Sequence, residues 1–584
     1  MTVKTSLEMS KDTSKPEQLI TEHIDIWTSA ILAKSSSGRG SSKKYELYGI
    51  SKLRELILEL AVRGKLVSQD DNDEPASVLL EKIAVEKAQL LEDGEIKNAK
   101  KPLKEVTKSE ELYELPEGWV WTRIANLFNV VYGKGLPISK LTESGYDVFG
   151  ANGIIGKYKI YNYEKPQLLV SCRGAYSGKA NLSPPRCFIT SNTLVLENNW
   201  KYLSQKFYYY SISAADKAQI VTGSAQPQVT ATNINPFIVS VPPLAEQHRI
   251  VAKVDELMLL CDQLEQQTEA SIEAHATLVE VLLATLTDSV DADELAQNWS
   301  RISEHFVSLF TTEQSIEALK QTVLQLAVMG KLVPQNPNDE PASVLLEKIA
   351  EEKEQLVKDK VIKKEKPLPA ITDDEKNLDL PQGWKWASLQ DIISVMDAGW
   401  SPACPPEASP NNDIWGVLKT TAVQTLEYRQ YENKVLADTK APKPQYEVKA
   451  GDILITRAGP KNRVGVSCLV ESTRPKLMIS DKIIRFHLIE VGMSERFISL
   501  CLNAGVTAEY LESSKSGMAE SQMNISQSKL KTAPIPLSPI AEQHRIMNKL
   551  DELIDICDQL KEKLQQSQET QVQLTDALID KALG

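Results

Sequence analysis

The 584-residue chain has few of the residue patterns that build covalent or metal-centred sites. No two of its seven cysteines are spaced as CxxC, and no two of its six histidines are spaced as HExxH or in a similar metal-binding pattern. An odd number of scattered cysteines argues against a disulfide framework or a zinc ribbon, and the histidine spacing gives no support for a metal site. We therefore expect buried apolar thiols, and a chain that binds no metal or other cofactor of its own.

Motifs of three classes of enzyme are also missing. Asn235-Pro236-Phe237 lacks the second proline of an adenine-methyltransferase loop, and GAYSGKA at 174–180 departs from the P-loop pattern in its glycine spacing and its last residue. Nuclease carboxylate clusters of the PD...ExK kind lack their PD, which leaves Glu351-Glu352-Lys353 as an isolated match. The chain has no catalytic constellation, so any catalysis that it serves must reside in partners.

Long apolar runs are absent as well. No run of about eighteen apolar residues occurs, and the first residues, MTVKTSLEMSKDTSKPEQ, lack the apolar core of a signal peptide. Hydrophobic residues make up 42% of the chain and charged residues 25%, which is typical of globular proteins. We predict a cytoplasmic protein without a membrane segment, long enough for about three to five domain-sized units.

The sequence instead contains two copies of one plan, because four segments recur in the same order. The pairs are LAVRGKLV from Leu60 and LAVMGKLV from Leu326, NDEPASVLLEKIA from Asn72 and from Asn338, LPEGW from Leu115 and LPQGW from Leu380, and LAEQHRI from Leu244 and IAEQHRI from Ile540. The residues between the last two pairs have diverged. Each copy therefore runs from a helical frame through a divergent domain into a long helix.

This plan predicts six regions. They are an N-terminal helical frame at 1–114, a first globular domain at 115–243, a first long helix at 244–286, an acidic join with a central frame at 287–379, a second globular domain at 380–539 and a C-terminal long helix at 540–584. Short β-branched runs with glycine turns predict that both globular domains are mixed α+β. The Ser/Gly/Lys-rich segment 34–44, found only in the first copy, is either a solvated linker or a basic phosphate contact.

Both long helices begin after a proline, Pro243 or Pro539, and Ser538 is placed to cap the second. Apolar residues then step by four and three, which is typical of a coiled-coil seam. These residues are Ile250, Val254, Leu257, Cys261 and Leu264, then Ile546, Leu550, Leu553, Cys557, Leu560 and Leu564, and, after a polar middle, Leu278, Leu282, Leu574 and Leu578. Each helix would extend for about 37 residues, roughly 55 Å. We predict an antiparallel coiled coil in a pseudo-two-fold molecule; the alternative is that each helix packs only on its own domain.

The repeated NDEPASVLLEKIA forms a shorter amphipathic helix. Its apolar stripe includes Leu79 and Ile83 in the first copy and Leu345 and Ile349 in the second. Because this segment is identical in both copies while the domains have diverged, we expect it to perform one function twice. These four residues are candidates for two equivalent partner-binding sites; a packed structural helix is the alternative.

Positive charge is concentrated in the divergent domains. The whole chain carries -13, but Trp119 to Pro242 has twelve Lys/Arg against five Asp/Glu, and Trp384 to Ser538 has eighteen against sixteen. The remaining residues carry -22. This distribution indicates that the domains, and not the helices, contact phosphate groups.

Candidate contact residues follow from strand ends and loops. LLVSCRG from Leu168 and ILITRAG from Ile453 indicate equivalent strands that end at a glycine turn beside an arginine, and TSNTLVL and ISDKIIRF indicate the strands that follow. Cations and amides on such loops suit phosphate or base contacts, although surface solubility is the alternative. The candidates are Lys157, Lys159, Arg173, Lys179 and Gln226 in the first domain, and Arg457, Lys461, Arg463, Lys482 and Gln522 in the second.

Two domains, each opened by LPxGW and closed by PPLAEQHRI or SPIAEQHRI before a long helix, resemble the specificity subunit of type I restriction-modification enzymes. GKLV and EPASVLLEKI resemble the frame regions of that family, so the resemblance covers nearly the whole chain from about Ile20. It implies a non-catalytic subunit with two target-recognition domains, each of which reads one half of a split, asymmetric duplex DNA site. The paired helices would set the spacing between the halves.

The same resemblance implies the partners. Two methyltransferase subunits would bind the frame, and endonuclease/translocase subunits would join them in an anti-phage restriction-modification complex. S-adenosylmethionine, ATP and Mg would be bound by those partners. Two other hypotheses are a duplicated coiled-coil scaffold whose domains bind proteins, and a free-standing DNA enzyme, which the missing motifs disfavour.

Overall fold

The structure is a computed structural model that describes residues 16–33, 45–96, 103–198, 200–223, 226–290, 292–366, 368, 371 and 379–584. The Ser/Gly/Lys-rich segment 34–44 lies outside the described residues. The chain divides into two compact units: unit 1 is 1–272 with 566–584, and unit 2 is 273–565. Both divisions fall inside the long helices.

Unit 1 combines a helical frame with a mixed domain. The frame contains α1 (Pro16–Glu22), α2 (Ile24–Ser29), β1 (Leu32–Ala33), β2 (Tyr45–Glu46), α3 (Tyr48–Val62) and α4 (Ala76–Glu92). The domain contains β3 (Val120–Arg123), α5 (Ile124–Leu127), β4 (Asn129–Tyr132), β5 (Tyr146–Gly150), β6 (Gly153–Tyr158), β7 (Leu168–Ser171), β8 (Ala180–Leu182), β9 (Phe188–Ile189), β10 (Thr193–Glu197), α6 (Gln205–Ala214), α7 (Ala231–Ile234) and β11 (Ile238–Val241), and α8 (Leu244–Asp288) follows.

Unit 2 repeats this order. Its frame contains α9 (Ala292–Glu304), α10 (Phe306–Leu309), α11 (Glu313–Val328) and α12 (Ala342–Lys358). Its domain contains β12 (Lys385–Ser388), α13 (Leu389–Ile392), β13 (Ile393–Ala398), β14 (Gly416–Leu418), β15 (Val423–Gln424), β16 (Glu427–Tyr428), β17 (Asn433–Val435), β18 (Ile453–Thr456), β19 (Ala458–Gly459), β20 (Ser467–Leu469), β21 (Leu477–Met478), β22 (Ile483–Leu488), α14 (Glu495–Cys501), α15 (Gly505–Ser513), β23 (Met523–Asn524), α16 (Gln527–Lys531) and β24 (Pro534–Leu537), and α17 (Ile540–Leu583) follows.

The two domains share one sheet topology. The strand orders are β4-β10-β7-β8 in unit 1 and β13-β22-β18-β20 in unit 2, and a two-stranded pairing of β3 with β11 matches that of β12 with β24. The predicted strand pairs are β7 with β10 and β18 with β22, both antiparallel. The mixed α+β fold and the internal repeat are therefore confirmed.

A glycine packs against the start of each domain and explains two of the repeated motifs. Gly64 of the first GKLV segment has a φ of +69°, and a Cβ there would lie 2.5 Å from Cγ of Pro116 in LPEGW. Gly330 has the same φ, and its Cβ would lie 2.6 Å from Pro381. A side chain at either position would clash, so the close approach of the frame to the domain requires glycine.

A buried carboxylate of the AEQHRI motif lies at the same junction. In unit 1, Glu246 of AEQHRI accepts hydrogen bonds from Gln69 Nε2 at 2.6 Å and from Trp119 Nε1 at 2.9 Å. In unit 2, the counterparts are Glu542, Gln335 at 2.7 Å and Trp384 at 3.1 Å. Burial raises the pKa of both carboxyl groups. We call this arrangement the carboxylate junction.

Charged and amide side chains extend the junction. Arg249 forms an ion pair at 2.7 Å with Asp73 of the first NDEPASVLLEKIA, and Arg545 forms its equivalent with Asp339. Gln247 and Gln543 each donate to the carbonyl of the residue that precedes the helix proline. The predicted Ser538 cap is wrong, because its buried hydroxyl has no hydrogen-bond partner in the structure; the Gln543 amide donates to the Ser538 carbonyl instead.

The two long helices are confirmed and are longer than predicted, with 45 residues in α8 and 44 in α17. Ile250, Val254 and Leu257 are buried in the core of unit 1, where Ala582 near the end of α17 joins them. After the polar middle the buried positions of α8 are Val279, Leu283 and Leu286, whereas Leu278 is half exposed, as is Leu574 of α17. A straight helix drifts relative to a strict seven-residue repeat, so the register shifts along its length.

The sequence also predicts buried cysteines and the absence of a membrane segment. All seven cysteines are free, and six of them are buried as predicted; Cys404 is only partly buried. Among the described helices, α8 alone has the length and composition that a membrane span would need. The same helix places Val254 in the core of unit 1 and Leu283 in the core of unit 2.

Replacing Trp119 with Phe removes one of the two donors to Glu246. We expect the free energy of unfolding of unit 1 to fall by about 1–3 kcal/mol, because a buried acceptor without its donor keeps its desolvation cost. Hydrogen exchange read by mass spectrometry would show faster exchange in unit 1 peptides. Trp384→Phe is the matched control and should affect unit 2 peptides instead.

The pH dependence separates the lost hydrogen bond from lost packing. Because the folded-state pKa of Glu246 is raised, its contribution to stability is largest below the unfolded-state pKa and falls as the pH rises through the folded-state value. The Trp119 hydrogen bond favours the ionised carboxyl group. The loss of stability caused by Trp119→Phe should therefore increase as the pH rises and Glu246 ionises. A defect that does not change with pH would show that only packing was lost.

Candidate nucleic-acid interface

Four predicted residues of the second domain lie together at one end of its sheet. Arg457 follows β18, and its backbone N–H donates to the carbonyl of Lys482, which precedes β22, at 2.8 Å. β19 pairs with β23, which places the loop 516–522 beside this end. The N–H of Lys461 donates to the carbonyl of Glu520 at 2.7 Å. The structure thus brings Arg457, Lys461, Lys482 and Gln522 into one surface.

The loop at this surface is closed tightly by its own backbone. Ser516 and Asn524 exchange two backbone hydrogen bonds, at 2.9 and 2.8 Å. Gly517 leaves no room for a side chain, since a Cβ there would lie 2.3 Å from the Gln522 carbonyl oxygen. Gln522 is exposed beside the fully exposed Met518. A preorganised loop of this kind loses little conformational freedom on binding.

The cations of this surface differ in whether they form ion pairs within the chain. Among the residues that the structure describes, neither Arg457 nor Lys482 forms an ion pair, whereas Lys461 Nζ lies 3.6 Å from Glu512 and 4.0 Å from Glu520. Arg457 is partly buried and Lys482 is exposed. Arg457 and Lys482 are therefore the better placed to meet a phosphate or a base edge.

Arg463 is a correction to the sequence-based candidates. Its guanidinium donates to Gln424 Oε1 at 2.8 Å and to the carbonyls of Thr420 at 3.0 Å and Val423 at 2.7 Å. Burial lowers its pKa. These bonds hold the 420–424 turn, so the guanidinium has a structural role within the domain. Its acceptors lie about forty positions away in sequence, where no local pattern would reveal them.

The first domain brings three candidates together in a similar way. The backbone of Arg173 pairs with Gln228, and the N–H of Gly174 donates to the Pro227 carbonyl at 3.1 Å. Exposed Gln226 lies in the same loop, and Lys179, whose Nζ is 5.7 Å from the Tyr176 ring centre, follows the turn after Arg173. This surface is the counterpart of the one in the second domain.

The two arginines beside the glycine turns are not structural equivalents. Arg173 pairs with Gln228, whereas the residue that pairs with Asn524, 296 positions after Gln228, is Ala458. Arg457 is one position earlier in the strand and matches Cys172. Because successive side chains of a strand point to opposite faces, the two domains present their arginines differently. The predicted equivalence of the two strands is correct, and the two arginines occupy adjacent positions, not the same position, in those strands.

Lys157 and Lys159 lie apart from the other candidates. The β5–β6 hairpin turns at Gly150 and Gly153, where Ser171 Oγ donates to the carbonyl of Ala151. Lys157 and Lys159 come four and six residues after this turn. Lys157 forms an ion pair with Asp147 at 2.5 Å, and Lys159 is exposed.

The frame candidates lie inside the chain's own cores. Leu79 and Ile83 of α4 are buried in unit 1, and Leu345 and Ile349 of α12 are buried in unit 2, each no more than 3% exposed. Direct contact with a partner through these side chains is therefore contradicted. Their stripe holds the frame together, and a partner-binding site must use exposed residues instead. An apolar stripe in sequence does not distinguish the chain's own core from a partner's surface.

The described residues contain no group of three or more His, Cys, Asp or Glu side chains that would hold a metal ion.

A family model described as type I restriction modification DNA specificity domain matches residues 116–274 and 381–569. The type I restriction enzyme EcoEI specificity subunit of Escherichia coli is 53% identical over 97% of this chain and 100% of its own. The EcoAI specificity subunit of the same species is 40% identical with the same coverage. The HsdS subunit from Thermoanaerobacter tengcongensis covers 81% of this chain and 98% of its own, with 18% identity and a TM-score of 0.40.

A duplicated chain in which each unit joins a helical frame to a divergent domain, with cations and amides on the domain loops, defines a class of two-domain recognition protein. The chain belongs to the family of type I restriction-modification DNA specificity subunits. Its role is therefore DNA sequence specificity within a restriction-modification complex, and a scaffold that does not bind DNA is not favoured.

Exchanging Arg457 for Gln should weaken binding of the assembled complex to its target duplex by about 1–3 kcal/mol if the guanidinium contacts a base edge. Fluorescence anisotropy with target and scrambled duplexes measures the change in affinity. Arg463→Gln is the matched control: it should lower the melting temperature of unit 2 because its three acceptors lose their donors. Normal stability with abolished DNA binding in Arg463→Gln would contradict this division of roles.

Proposed function

We propose that each domain recognises one half of a split, asymmetric duplex DNA site. The observation that carries this proposal is that two domains of one topology present different side chains at the same strand ends, such as Arg173 in one and Ala458 in the other. A shared topology with different loop chemistry supports two half-sites of different sequence. One chain with two continuous helices, each having residues in both units, supports a fixed gap between the halves.

The two surfaces provide the chemistry for such recognition. Arginine bonds well to guanine, and glutamine to adenine, in the major groove. Lys179, Lys461 and Lys482 suit phosphate contacts, which set the position of the domain but carry no sequence information. Lys157 and Lys159 are proposed as a separate phosphate contact of the first domain.

Catalysis is proposed to reside in partner subunits. Methyltransferase subunits would bind S-adenosylmethionine, and endonuclease/translocase subunits would bind ATP and Mg. This division fits a cytoplasmic complex in which this chain supplies recognition and the partners supply chemistry.

Two equivalent partner-binding sites are proposed on the long helices, one in each unit. Each unit exposes one leucine at the same place in the repeat, Leu574 in unit 1 and Leu278 in unit 2, and both are about half exposed. Exposed apolar side chains beside a buried stripe suit contact with a partner's helix. Duplicated sites support two methyltransferase subunits per chain.

Mapping methylated adenines after co-expression with the methyltransferase subunit should give a split motif with a fixed gap. Gln226→Ala should relax one half of the motif and Gln522→Ala the other, since each loop belongs to one domain. The two variants control each other. A continuous motif, or the same half altered by both variants, would contradict the proposal.

Leu574→Ser and Leu278→Ser should each reduce the number of bound methyltransferase subunits from two to one, as measured by native mass spectrometry. The physical reason is that each substitution removes an apolar side chain from one of two equivalent sites. Leu259→Ser is the control, because Leu259 is exposed on α8 and its repeat counterpart is Asp555. Two bound subunits in all three variants would place the sites elsewhere.

A further inference from the structure

The frame is acidic overall but contains short basic stretches, and one of them leads into the second domain. Residues 358–366 (KDKVIKKEK), here named the lysine segment, carry five lysines and two acidic residues. The segment starts at the last residue of α12 and leads toward the second domain. The parts of the chain outside the two domains otherwise carry a strongly negative charge, so a local net charge of +3 is conspicuous.

Most of these lysines are free. Lys358 is paired with Glu354 at 3.0 Å. In the part of the chain that the structure describes, the other four form no ion pair, and all four are exposed: Lys360, Lys363, Lys364 and Lys366. Exposed lysines that form no ion pair within the described residues are accessible to a ligand.

The segment is fastened to the second domain. Glu365 forms an ion pair with Lys531 of α16. Gln390 of α13 donates through Nε2 to the Lys366 carbonyl at 3.0 Å. The lysines are thus held on the surface of the domain instead of forming a loose tail.

The same helix connects the segment to the candidate interface. α16 begins two residues after Ile525, whose N–H donates to the Arg457 carbonyl at 2.9 Å. Lys529 is exposed on α16, between Ile525 and the Lys531 that pairs with Glu365. Exposed cations therefore continue from the recognition loops to the lysine segment within unit 2.

The side-chain composition favours phosphate over a protein surface as the ligand. Protein interfaces are enriched in aromatic residues, Met and Arg and depleted in Lys, whereas lysine is a common phosphate contact. Val361 is the one exposed large apolar side chain described in this segment. The repeated negative charges of a duplex DNA backbone are complementary in sign to several exposed lysines on one surface.

We propose that the lysine segment, with Lys529, binds the phosphates of duplex DNA that flanks the half-site of the second domain. This inference rests on the proposed function, since it extends the DNA surface of that domain. The segment adds affinity and not sequence selectivity, because phosphates are the same at every base pair.

The test compares two variants in the complete complex with methyltransferase subunits. One carries K360Q, K363Q, K364Q and K366Q. The other, matched in charge, carries K52Q, K82Q, K348Q and K549Q; each of these lysines is held in an ion pair, three on the frame and Lys549 on α17. Affinity is measured against salt with a duplex that carries the mapped motif and flanking DNA on both sides, and with a scrambled duplex.

In the first variant, affinity should depend less steeply on salt. The slope of log affinity against log salt is negative, and its magnitude should decrease by about 0.9 for each phosphate that the complex no longer neutralises. This variant's ratio of target to scrambled affinity and its methylated motif should not change, and the control variant should keep the parental slope. An unchanged slope in the first variant overturns the proposal. If methyltransferase binding is also impaired while the slope is unchanged, the segment instead binds an acidic protein partner.

A different result would show that the proposed function itself is wrong. In that case the unaltered complex itself would show no preference for the target duplex over the scrambled one.

Discussion

The structure depends on a buried carboxylate at the start of each long helix. A charge removed from water costs several kcal/mol unless donors compensate it, and Glu246 and Glu542 each receive two donors from distant parts of the chain. One donor comes from the frame and the other from the first strand region of the domain. Movement of any of the three segments removes at least one donor from the carboxylate, so frame, domain and helix are held together at one point. This explains why the short motifs at the junction recur in both copies.

The junction also explains why the domains were free to diverge. Their strand positions are fixed by backbone ladders, such as Thr193 to Leu196 against Ser171 to Leu168, and backbone bonds place no condition on the side chains at the strand ends. Arg173 in one domain and Ala458 in the other occupy the same ladder position, with opposite consequences for charge. The strand ladders thus preserve the fold, while the side chains at the strand ends, which we propose select the DNA sequence, are free to differ.

Sequence reasoning predicted the features that depend on local or repeated patterns. The repeat, the long helices and the equivalent strands β7 and β18 follow from periodicity and turn residues. It failed where long-range contacts decide. Arg463 looked like a loop cation, but acceptors near Thr420 bind it, and the Leu79 stripe gives the same sequence pattern whether it faces the chain's own core or a partner. The offset between Arg173 and Arg457 is already visible in the sequence, because one residue separates Arg457 from its glycine turn and none separates Arg173 from Gly174; the hydrogen-bonded ladder agrees with it.

Net charge was the least informative property of the whole chain, for a physical reason. At about 0.1 M salt, exposed charges interact over roughly 10 Å, so a phosphate responds to the cations within that distance and not to a total of -13. An acidic frame therefore does not prevent DNA binding at the domain ends. Cations on the frame that form no ion pair are places of local positive charge on a surface that is acidic overall. In unit 2, Lys360, Lys363, Lys364 and Lys366 bring free positive charge to the edge of the second domain, which extends a local surface that the chain's total charge conceals.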